Sequence, residues 1–245
     1  KASYTLTNEV EGTGITVLVI YNGDNNYNDT RNSTHYNVTK QNTTTTVDAL
    51  SPIYYGTIED LNVTVNFTDA TGTITLYINS TVDGFNNITK VFTITETDEG
   101  KVNWNIDGLI LPVGTYDVTA VYSGDRKYNN STSQITLIVV EQNEEYEITV
   151  EANNTVYGQD EIIIVTVPSD ANGTVTISIN GREIETKSVS DGKAIFNVTG
   201  LEVNDDYNVT AIYNGDANYK AGNTGSDLFN VTKAASHIDV VAEDI

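Results

Sequence analysis

Gly114-Thr-Tyr-Asp-Val-Thr-Ala-Val-Tyr-Ser-Gly-Asp-Arg-Lys-Tyr128 joins a strand pattern to a turn. Between residues 116 and 122 every second residue is apolar, and the residues between them include Asp117 and Thr119. This period of two predicts a β-strand with one buried face and one solvent-exposed face. The Gly-Asp pair that follows predicts a hairpin turn, because glycine accepts backbone angles that other residues avoid and aspartate can bond its own backbone.

The phrase Tyr-x-Gly-Asp-x-x-Tyr occurs three times, at residues 21–27, 122–128 and 213–219. The intervals of 101 and 91 residues indicate a repeat of the size that a seven-stranded sandwich needs. Tyr116 and Tyr207, which open the strand before the turn, match the tyrosine corner of immunoglobulin-like domains, so the turn joins strands F and G. We therefore predict an all-β chain of tandem seven-stranded immunoglobulin-like β-sandwich domains arranged as a rod.

Aligning the chain ends on this repeat gives the domain boundaries. Residues 1–40 match strands E, F and G, the C-terminal part of a domain, with residues 1–6 as strand E. Residues 41–140 and 141–232 each match a complete domain, and residues 233–245 match the first strand of a following one. Because three strands alone expose an apolar face and an unpaired edge, we expect a window of a longer tandem array or a processed product. The rival is strand exchange, in which another copy supplies the missing strands.

Two finer expectations concern the complete domains. Ile135, Leu137 and Val139 recur at period two after the second turn, which predicts the buried face of the last strand. The offset between matching segments falls from 101 to 92 across residues 81–99, so we expect about nine extra residues in the first complete domain there.

Composition excludes several functional classes. The 245 residues carry 12 basic and 34 acidic side chains, and a net charge of −22 repels phosphate, so we expect no nucleic-acid binding. No apolar run approaches the roughly 18 residues of a transmembrane helix, so we expect no membrane insertion in this segment. The absence of cysteine excludes thiol catalysis, cysteine metal sites and disulfides, while 36 threonines and 29 asparagines favour strands and turns.

The hairpin phrase quoted above, together with Gly192-Lys-Ala-Ile-Phe-Asn-Val-Thr-Gly-Leu201, resembles the bacterial-type immunoglobulin-like repeats of large cell-surface proteins. The chain is most similar to the adhesin-like proteins of methanogenic archaea, which share its acidic, cysteine-free character. The resemblance covers nearly the whole chain and implies a cell-surface stalk or adhesin with an extracellular location, but no particular ligand. Ile15 departs from the pattern, because the corner tyrosine is expected at that position.

Asparagine sequons are numerous. Fifteen Asn-x-Ser/Thr triplets lack proline at the middle position, although a chain this rich in both residue types produces some triplets by chance. Many fall on polar strand faces or near turns, so we expect several to carry a sugar outside the core. The candidate glycosylation sites are Asn28, Asn32, Asn37, Asn42, Asn62, Asn66, Asn79, Asn87, Asn129, Asn130, Asn153, Asn172, Asn197, Asn208 and Asn230.

A calcium site is the second candidate. In a head-to-tail array of sandwiches, turns at one end of a domain face turns of the next, and carboxylates gathered there suit a hard cation. The carboxylates are Glu9 and Glu11 opposite Asp69 and Asp125, and Glu59, Asp60 and Asp107 opposite Asp170 and Asp216. The alternative is that these are solvated turn residues, because no Asp-x-Asp-x-Asp-Gly loop is present. We therefore expect no cofactor, with calcium as the one exception to test.

No catalytic constellation emerges. His35 and His237 are the only histidines, each lies in an incomplete domain, and the Gly-x-Ser-x-Gly, His-Glu-x-x-His and phosphate-loop motifs are absent, so we expect no enzyme. The leading hypothesis is a structural or adhesive cell-surface repeat module of an archaeal or bacterial adhesin-like protein, acting as a glycosylated stalk or surface fibre. Its partners would be neighbouring repeats or copies of itself. The alternatives are a filament subunit completed by strand exchange between copies, and a module that binds cell-surface glycans or proteins, for which residues 81–99 are the distinguishing feature.

Overall fold

The computed structural model describes residues 1–7 and 9–243, and this part of the chain is built from strands and turns. Its helical pieces are two 3-10 turns, Glu96–Asp98 and Gly108–Ile110, neither of which has the length and apolar character needed to cross a bilayer. The strands are β1 (Gly12–Tyr21), β2 (Thr30–Val38), β3 (Thr45–Asp48), β4 (Ile53–Tyr54), β5 (Glu59–Val65), β6 (Gly72–Asn79), β7 (Ile88–Ile94), β8 (Lys101–Ile106), β9 (Gly114–Tyr122), β10 (Ser131–Thr132), β11 (Thr136–Glu141), β12 (Thr149–Glu151), β13 (Thr155–Val156), β14 (Glu161–Thr166), β15 (Thr174–Ile179), β16 (Arg182–Ser188), β17 (Lys193–Val198), β18 (Asn204–Tyr213) and β19 (Thr224–Thr232).

Strands β3 to β11 form a sandwich of two sheets. One sheet has the order β3-β5-β8, and the other has the order β4-β11-β9-β6-β7 with β10 paired to β9. As the alternation predicts, Tyr116, Val118, Ala120 and Tyr122 on β9 are fully buried. Burying these large side chains from one face of each sheet supplies the main favourable free energy of folding.

Strands β12 to β19 repeat the same architecture. The sheets have the orders β12-β14-β17 and β13-β19-β18-β15-β16, and β13 runs parallel to β19. Val209, Ala211 and Tyr213 on β18 are buried like their counterparts on β9, and the half-buried Tyr207 donates its hydroxyl to the carbonyl of Glu202 at 3.1 Å, which is the predicted tyrosine corner. The predicted fold class, tandem immunoglobulin-like sandwiches, is confirmed.

The extra residues of the first complete domain lie in two connections. Residues 80–87 join β6 to β7, whereas residues 180–181 form a tight turn between the equivalent β15 and β16. Residues 95–100, which include a 3-10 turn, join β7 to β8, against residues 189–192 in the second domain. The two connections overlap the predicted segment, residues 81–99, and each extends one residue beyond it.

The predicted buried face of β11 is wrong. Ile138 and Val140 are buried, whereas Ile135 is 61% exposed and Leu137 is also exposed. Residues 137–140 are all apolar, so the pattern alone leaves open which face of the strand is buried. The pairing of β11 beside β9 decides it, and a one-residue change in register exchanges the two faces of a strand.

Residues 1–40 form one antiparallel hairpin of β1 and β2, the counterparts of strands F and G. The predicted strand E is not formed, because residues 1–7 have no regular structure. In the complete domains strand E pairs with strand B, as β8 does with β5, and residues 1–40 include no counterpart of strand B. Val19, whose counterpart on β9 is in the core, is consequently 63% exposed.

Residues 233–243 are exposed and contain no strand, so the predicted first strand of a following domain is not formed over the described residues. Asp244 and Ile245 lie outside the described part of the chain. The first strand of a complete domain pairs with strand B of the same domain, as β12 does with β14. Residues 233–243 have no such partner strand among the described residues.

The chain divides into two compact units. The first comprises Lys1–Ile53, Thr57–Ile110 and Gly114–Val139. The second comprises Tyr54–Gly56, Leu111–Val113 and Val140–Ile245. Each unit therefore contains one Tyr-x-Gly-Asp-x-x-Tyr hairpin of a sandwich, and the first also contains the β1–β2 hairpin. Tyr54 of β4 and the last two residues of β11 belong to the second unit.

Candidate functional site: the aspartate and tyrosine clusters

The Gly-Asp turn is held by its aspartate side chain. Asp125 Oδ1 accepts hydrogen bonds from the backbone N–H groups of Lys127 at 2.7 Å and Tyr128 at 2.8 Å. Asp24 and Asp216 make the same two bonds in their own hairpins. The glycines before them have φ angles of +76°, +73° and +80° in chain order, a region that glycine enters without steric cost. The predicted local role of the Gly-Asp motif is thus present in all three copies.

In the complete domains the second carboxylate oxygen reaches another connection. Asp125 Oδ2 accepts the backbone N–H of Thr71, and Asp216 Oδ2 accepts that of Asn172, both at 2.9 Å. The hairpin between strands F and G is thereby tied to the connection between strands B and C, which joins β5 to β6 in the first complete domain and β14 to β15 in the second. Burial alone would raise the pKa of Asp125, but the three N–H donors outweigh it and hold that pKa below its usual range.

The tyrosine that ends the motif binds a second aspartate. Tyr128 donates its hydroxyl to Asp69 Oδ1 at 2.5 Å, and Tyr219 donates to Asp170 Oδ1 at 2.8 Å. We call these two arrangements the Asp–Tyr pairs. Burial, more than the neighbouring carboxylate, raises the pKa of Tyr128 to about 12, so its hydroxyl remains a donor at neutral pH.

The two Asp–Tyr pairs differ at the remaining carboxylate oxygen. Within the second unit, Asp170 Oδ2 accepts the hydroxyl of Tyr55 at 2.6 Å, and the Tyr55 ring meets the Tyr219 ring edge-on with centroids 5.5 Å apart. In the first unit, Asp69 Oδ2 instead accepts the ammonium of Lys127 at 2.8 Å. The same acceptor is thus used by a tyrosine in one unit and by a lysine in the other.

A cavity of about 280 Å³ opens beside the first Asp–Tyr pair. Glu9 and Glu11 line this cavity together with Asp69, Lys127 and Tyr128. Glu9 and Glu11 therefore line the same cavity as Asp69, as expected for carboxylates that would share a calcium ion. Lys127 also lines this cavity and adds a positive charge. The carboxylate charge that would attract calcium is partly neutralised there.

The calcium candidate Glu59 is a buried structural group. Its carboxyl is 0% exposed, Oε1 accepts the backbone N–H of Leu50 at 2.8 Å, and Oε2 has no partner among the described residues. Glu161, in the equivalent position, is also buried and accepts the N–H of Asn153 at 2.6 Å. Desolvation raises the pKa of Glu59 to about 6 and also raises that of Glu161.

The other calcium candidates have local hydrogen bonds of their own. Asp60 accepts the side-chain amide of Asn103, and Asp107 Oδ1 accepts the backbone N–H of Leu109 at 3.0 Å. Within residues 1–7 and 9–243, no three His, Cys, Asp or Glu side chains gather in a group that could hold a metal ion. Calcium binding stays a prediction.

All fifteen sequon asparagines lie at the surface or near it. Thirteen are exposed, and Asn129 and Asn230 are half-buried. Asn129 also donates its side-chain nitrogen, the atom that would carry a sugar, to Asn42 Oδ1 at 2.9 Å. Glycan attachment at the exposed sites needs no core rearrangement. At Asn129 it competes with an existing bond, as it does at the exposed Asn197, whose side-chain nitrogen donates to Asp160 Oδ2 at 3.1 Å.

The family model for the bacterial Ig-like domain (group 3) matches residues 42–141 and residues 148–232. The chain belongs to this family. The two matched stretches coincide with the two complete sandwiches, so each bacterial Ig-like domain contains one Gly-Asp hairpin and one Asp–Tyr pair. A comparison with curated protein sequences finds no significant match.

Solved structures similar to this pair of bacterial Ig-like domains share little sequence with it. The fibronectin(III)-like modules of Clostridium thermocellum CbhA are 17% identical, with 81% of this chain and 100% of that chain covered and a TM-score of 0.32. A putative membrane-anchored protein from Corynebacterium diphtheriae is 12% identical over 91% of this chain and 59% of that chain, with a TM-score of 0.35. A 1.5-MDa bacterial ice-binding adhesin is 15% identical over 89% and 74%, with a TM-score of 0.33. Similarity at this level carries no argument about function.

Sequence reasoning missed two features of these bacterial Ig-like domains. The burial of Glu59 and Glu161 was not foreseen, and Tyr55 was noted only as part of a repeated Tyr-Gly pair. Both features recur at an offset of 102 residues, with Tyr157 as the second copy of Tyr55. The sequence did contain a signal for the buried carboxyl groups. Glu59 and Glu161 recur with the repeat, and each stands at the start of an apolar strand.

Proposed function

We propose that this chain is a structural or adhesive repeat module of a cell-surface protein, located outside the cell and without catalytic activity. The observation that carries the proposal is that the repeated polar residues form hydrogen bonds within their own domains. The aspartates and the final tyrosine of the motif in both complete domains are bound to the fold itself, through the hairpin and the connection between strands B and C. The function of the repeated sandwiches is then mechanical: they extend the surface protein away from the cell.

A glycosylated stalk or surface fibre of an archaeal or bacterial adhesin-like protein is the form that we favour. The exposure of thirteen sequon asparagines supports it, because sugars there would shield strand edges and loops from proteolysis. The net charge of −22 keeps such a surface solvated and discourages non-specific association.

The bare hairpin of β1 and β2 favours one alternative, a filament subunit completed by strand exchange between copies. A two-stranded sheet with an uncovered apolar face is marginally stable alone, and strands from another copy would cover it. The longer connection at residues 80–87 favours another, the binding of a glycan or protein partner, because it distinguishes the first complete domain from the second.

Surface location is tested by adding protease and chain-specific antibody to intact cells of the source organism. We expect the chain to be labelled and cleaved while a cytosolic marker remains protected. Protection of the chain to the same degree as the marker would contradict the proposal.

Glycosylation is tested by a peptide map of protein purified from the source organism. We expect several exposed sequons to carry a glycan and Asn129 to be modified less than its neighbour Asn130, which is exposed. A map in which every sequon asparagine is unmodified would remove the glycosylated form of the proposal and leave the structural module intact.

A further inference from the structure

The repeated Tyr-Gly turn has the same backbone in both domains but not the same surroundings. The N–H of Tyr55 donates to the carbonyl of Glu141 at 2.8 Å, and the N–H of Tyr157 donates to that of Thr232 at 2.8 Å. The glycines that follow have φ angles of +82° and +86°. Yet Tyr55 is 5% exposed and Tyr157 is 48% exposed. The difference in exposure therefore comes from the residues that each tyrosine ring contacts.

Tyr55 meets an Asp–Tyr pair. Its hydroxyl donates to Asp170 Oδ2, its ring packs edge-on against Tyr219, and its carbonyl accepts the side-chain amide of Asn143 at 3.1 Å, all within the second unit. An edge-to-face aromatic contact together with a hydrogen bond to a carboxylate is a specific mode of recognition. Within the described part of the chain, the Tyr157 side chain has no such receptor.

The first unit contains a receptor of the same kind. Asp69 and Tyr128 repeat the arrangement of Asp170 and Tyr219, with the tyrosine hydroxyl on Oδ1 in both. The adjoining cavity of about 280 Å³ is larger than the roughly 150 Å³ that accommodates a benzene ring in a protein interior. Lys127 holds Asp69 Oδ2, but this pair is partly exposed, and such surface ion pairs are weak and exchange readily.

We propose that Tyr157 of one copy of this chain docks into the cavity beside Asp69 and Tyr128 of a second copy. The Tyr157 hydroxyl takes the place of the Lys127 ammonium on Asp69 Oδ2, and its ring packs against Tyr128, as Tyr55 does against Tyr219. The tyrosine and the receptor are different parts of the chain, so the contact between two copies is heterologous. The inference names the partner in the proposed function, but it rests on the contacts and does not depend on the cellular location.

Charge sets the conditions of the test. Two copies that each carry −22 repel one another at low ionic strength, and this repulsion is screened at about 0.15 M salt, where the Debye length is about 8 Å. The measurement is sedimentation velocity of the whole chain across a wide range of concentration at that salt. Four variants are compared with the wild type: Tyr157→Ala, Tyr157→Phe, Asp69→Asn and Tyr77→Ala, the last removing an exposed tyrosine of β6 as a matched control.

We expect the weight-average sedimentation coefficient of the wild type to rise with concentration. Tyr157→Ala weakens the association at least about tenfold, Tyr157→Phe and Asp69→Asn weaken it less, and Tyr77→Ala leaves it unchanged. A wild type that stays monomeric throughout, or a Tyr157→Ala variant that associates like the wild type, overturns the inference. Because Tyr157 is exposed, its replacement leaves the fold in place, and circular dichroism verifies this.

Two-dimensional NMR locates the contact. Adding unlabelled wild type to the isotope-labelled chain shifts the amide signals of Lys127 and Tyr128, and adding unlabelled Tyr157→Ala does not. Shifts confined to the β1–β2 hairpin would overturn the inference and indicate strand exchange instead. Either negative result leaves the proposed surface location untouched, since protease accessibility on intact cells measures that location separately.

Discussion

At the scale of single residues, the aspartates of the three hairpins make the same local bonds in different surroundings. Asp125 and Asp216 each accept a third N–H group from another connection. The bonds to Asp24 come from its own exposed hairpin, including the hydroxyl of Tyr21, a bond that Tyr213 repeats on Asp216. The sequence motif is identical in all three, so the difference comes from the rest of the sandwich. The motif aspartate holds its own turn in all three copies, and in two of them it also bonds a distant connection of the same domain.

Replacing Asp125 with alanine tests this difference. The change leaves three backbone N–H groups without their acceptor, so we expect the free energy of unfolding of the first unit to fall by about 2–3 kcal/mol. Asp24→Ala, the matched change in the β1–β2 hairpin, should leave the main unfolding transition unchanged. Chemical denaturation measures both, and equal effects of the two variants would contradict the prediction. Since the native pKa of Asp125 is lowered, its contribution is present above the unfolded pKa and is lost as pH falls through the native value.

The buried carboxyl of Glu59 has the opposite pH dependence. Its native pKa of about 6 lies above the unfolded value of 4.5, so stability from this group is full below pH 4.5 and is lost as pH rises through 6. Glu59→Gln should therefore raise the free energy of unfolding at pH 7.5 by up to about 2 kcal/mol and leave it nearly unchanged at pH 4.5. Glu96→Gln, at an exposed glutamate of the same unit, controls for the loss of one charge. A gain of the same size in both variants would show that net charge, not burial, is the cause.

At the scale of elements, the two F–G hairpins in complete sandwiches differ from the β1–β2 hairpin in what covers them. β9 and β18 each lie between two strands of a sheet and bury one face in a core. β1 has one partner strand, β2, and its side chains are exposed or half-buried. Local stability follows the number of buried apolar contacts and protected backbone bonds.

Amide hydrogen exchange should reveal this ranking. We expect the amides of β1 and β2 to exchange through local opening, far faster than those of β9 and β18, which need opening of a whole domain. Mass spectrometry of peptides from the chain measures the rates at a concentration low enough to keep it monomeric. Equal protection of β1 and β9 would mean that the hairpin is covered in solution, as strand exchange requires.

The same comparison explains what sequence reasoning could and could not predict. The buried face of β9 was correctly predicted because polar residues occupy most of its other face. The prediction for the buried face of β11 was wrong because residues 137–140 are all apolar, and only pairing with β9 selects Ile138 and Val140. A strand at residues 1–6 was wrong because a strand needs a partner, and sequence similarity to β8 does not supply one. Among the site residues, the turn role of Asp125 was predictable from its motif, whereas the Tyr55–Asp170 bond depends on distant segments.

At the scale of the whole molecule, charge is the dominant property. Acidic residues outnumber basic residues 34 to 12, so most carboxylates have no cation to pair with. Self-repulsion of this kind keeps a protein soluble and destabilises its compact state. The aspartates held by N–H groups are the exception, because their charge is stabilised by the backbone.

Salt should therefore stabilise the chain at neutral pH. We expect the melting temperature at pH 7 to rise when sodium chloride is increased from about 0.01 M to about 0.5 M, as the Debye length shrinks from about 30 Å to a few ångströms. Near pH 4.1, where the net charge approaches zero, the same addition should have little effect. Differential scanning calorimetry measures both, and an equal salt response at the two pH values would point to a cause other than charge repulsion.

The parallel pairing of β13 with β19 determines how tension would act on the second domain. β13 lies near the start of that domain and β19 is its last strand, with Thr155 opposite Val231 and Val156 opposite Thr232. In a parallel pair the two chain exits point to opposite ends, so a pull on both exits slides one strand along the other. The bonds between them are then loaded together in shear and must break at once, whereas an antiparallel hairpin pulled open at its ends would lose its bonds one after another. A domain joined in this way resists stretching through the strands by which its neighbours would pull it.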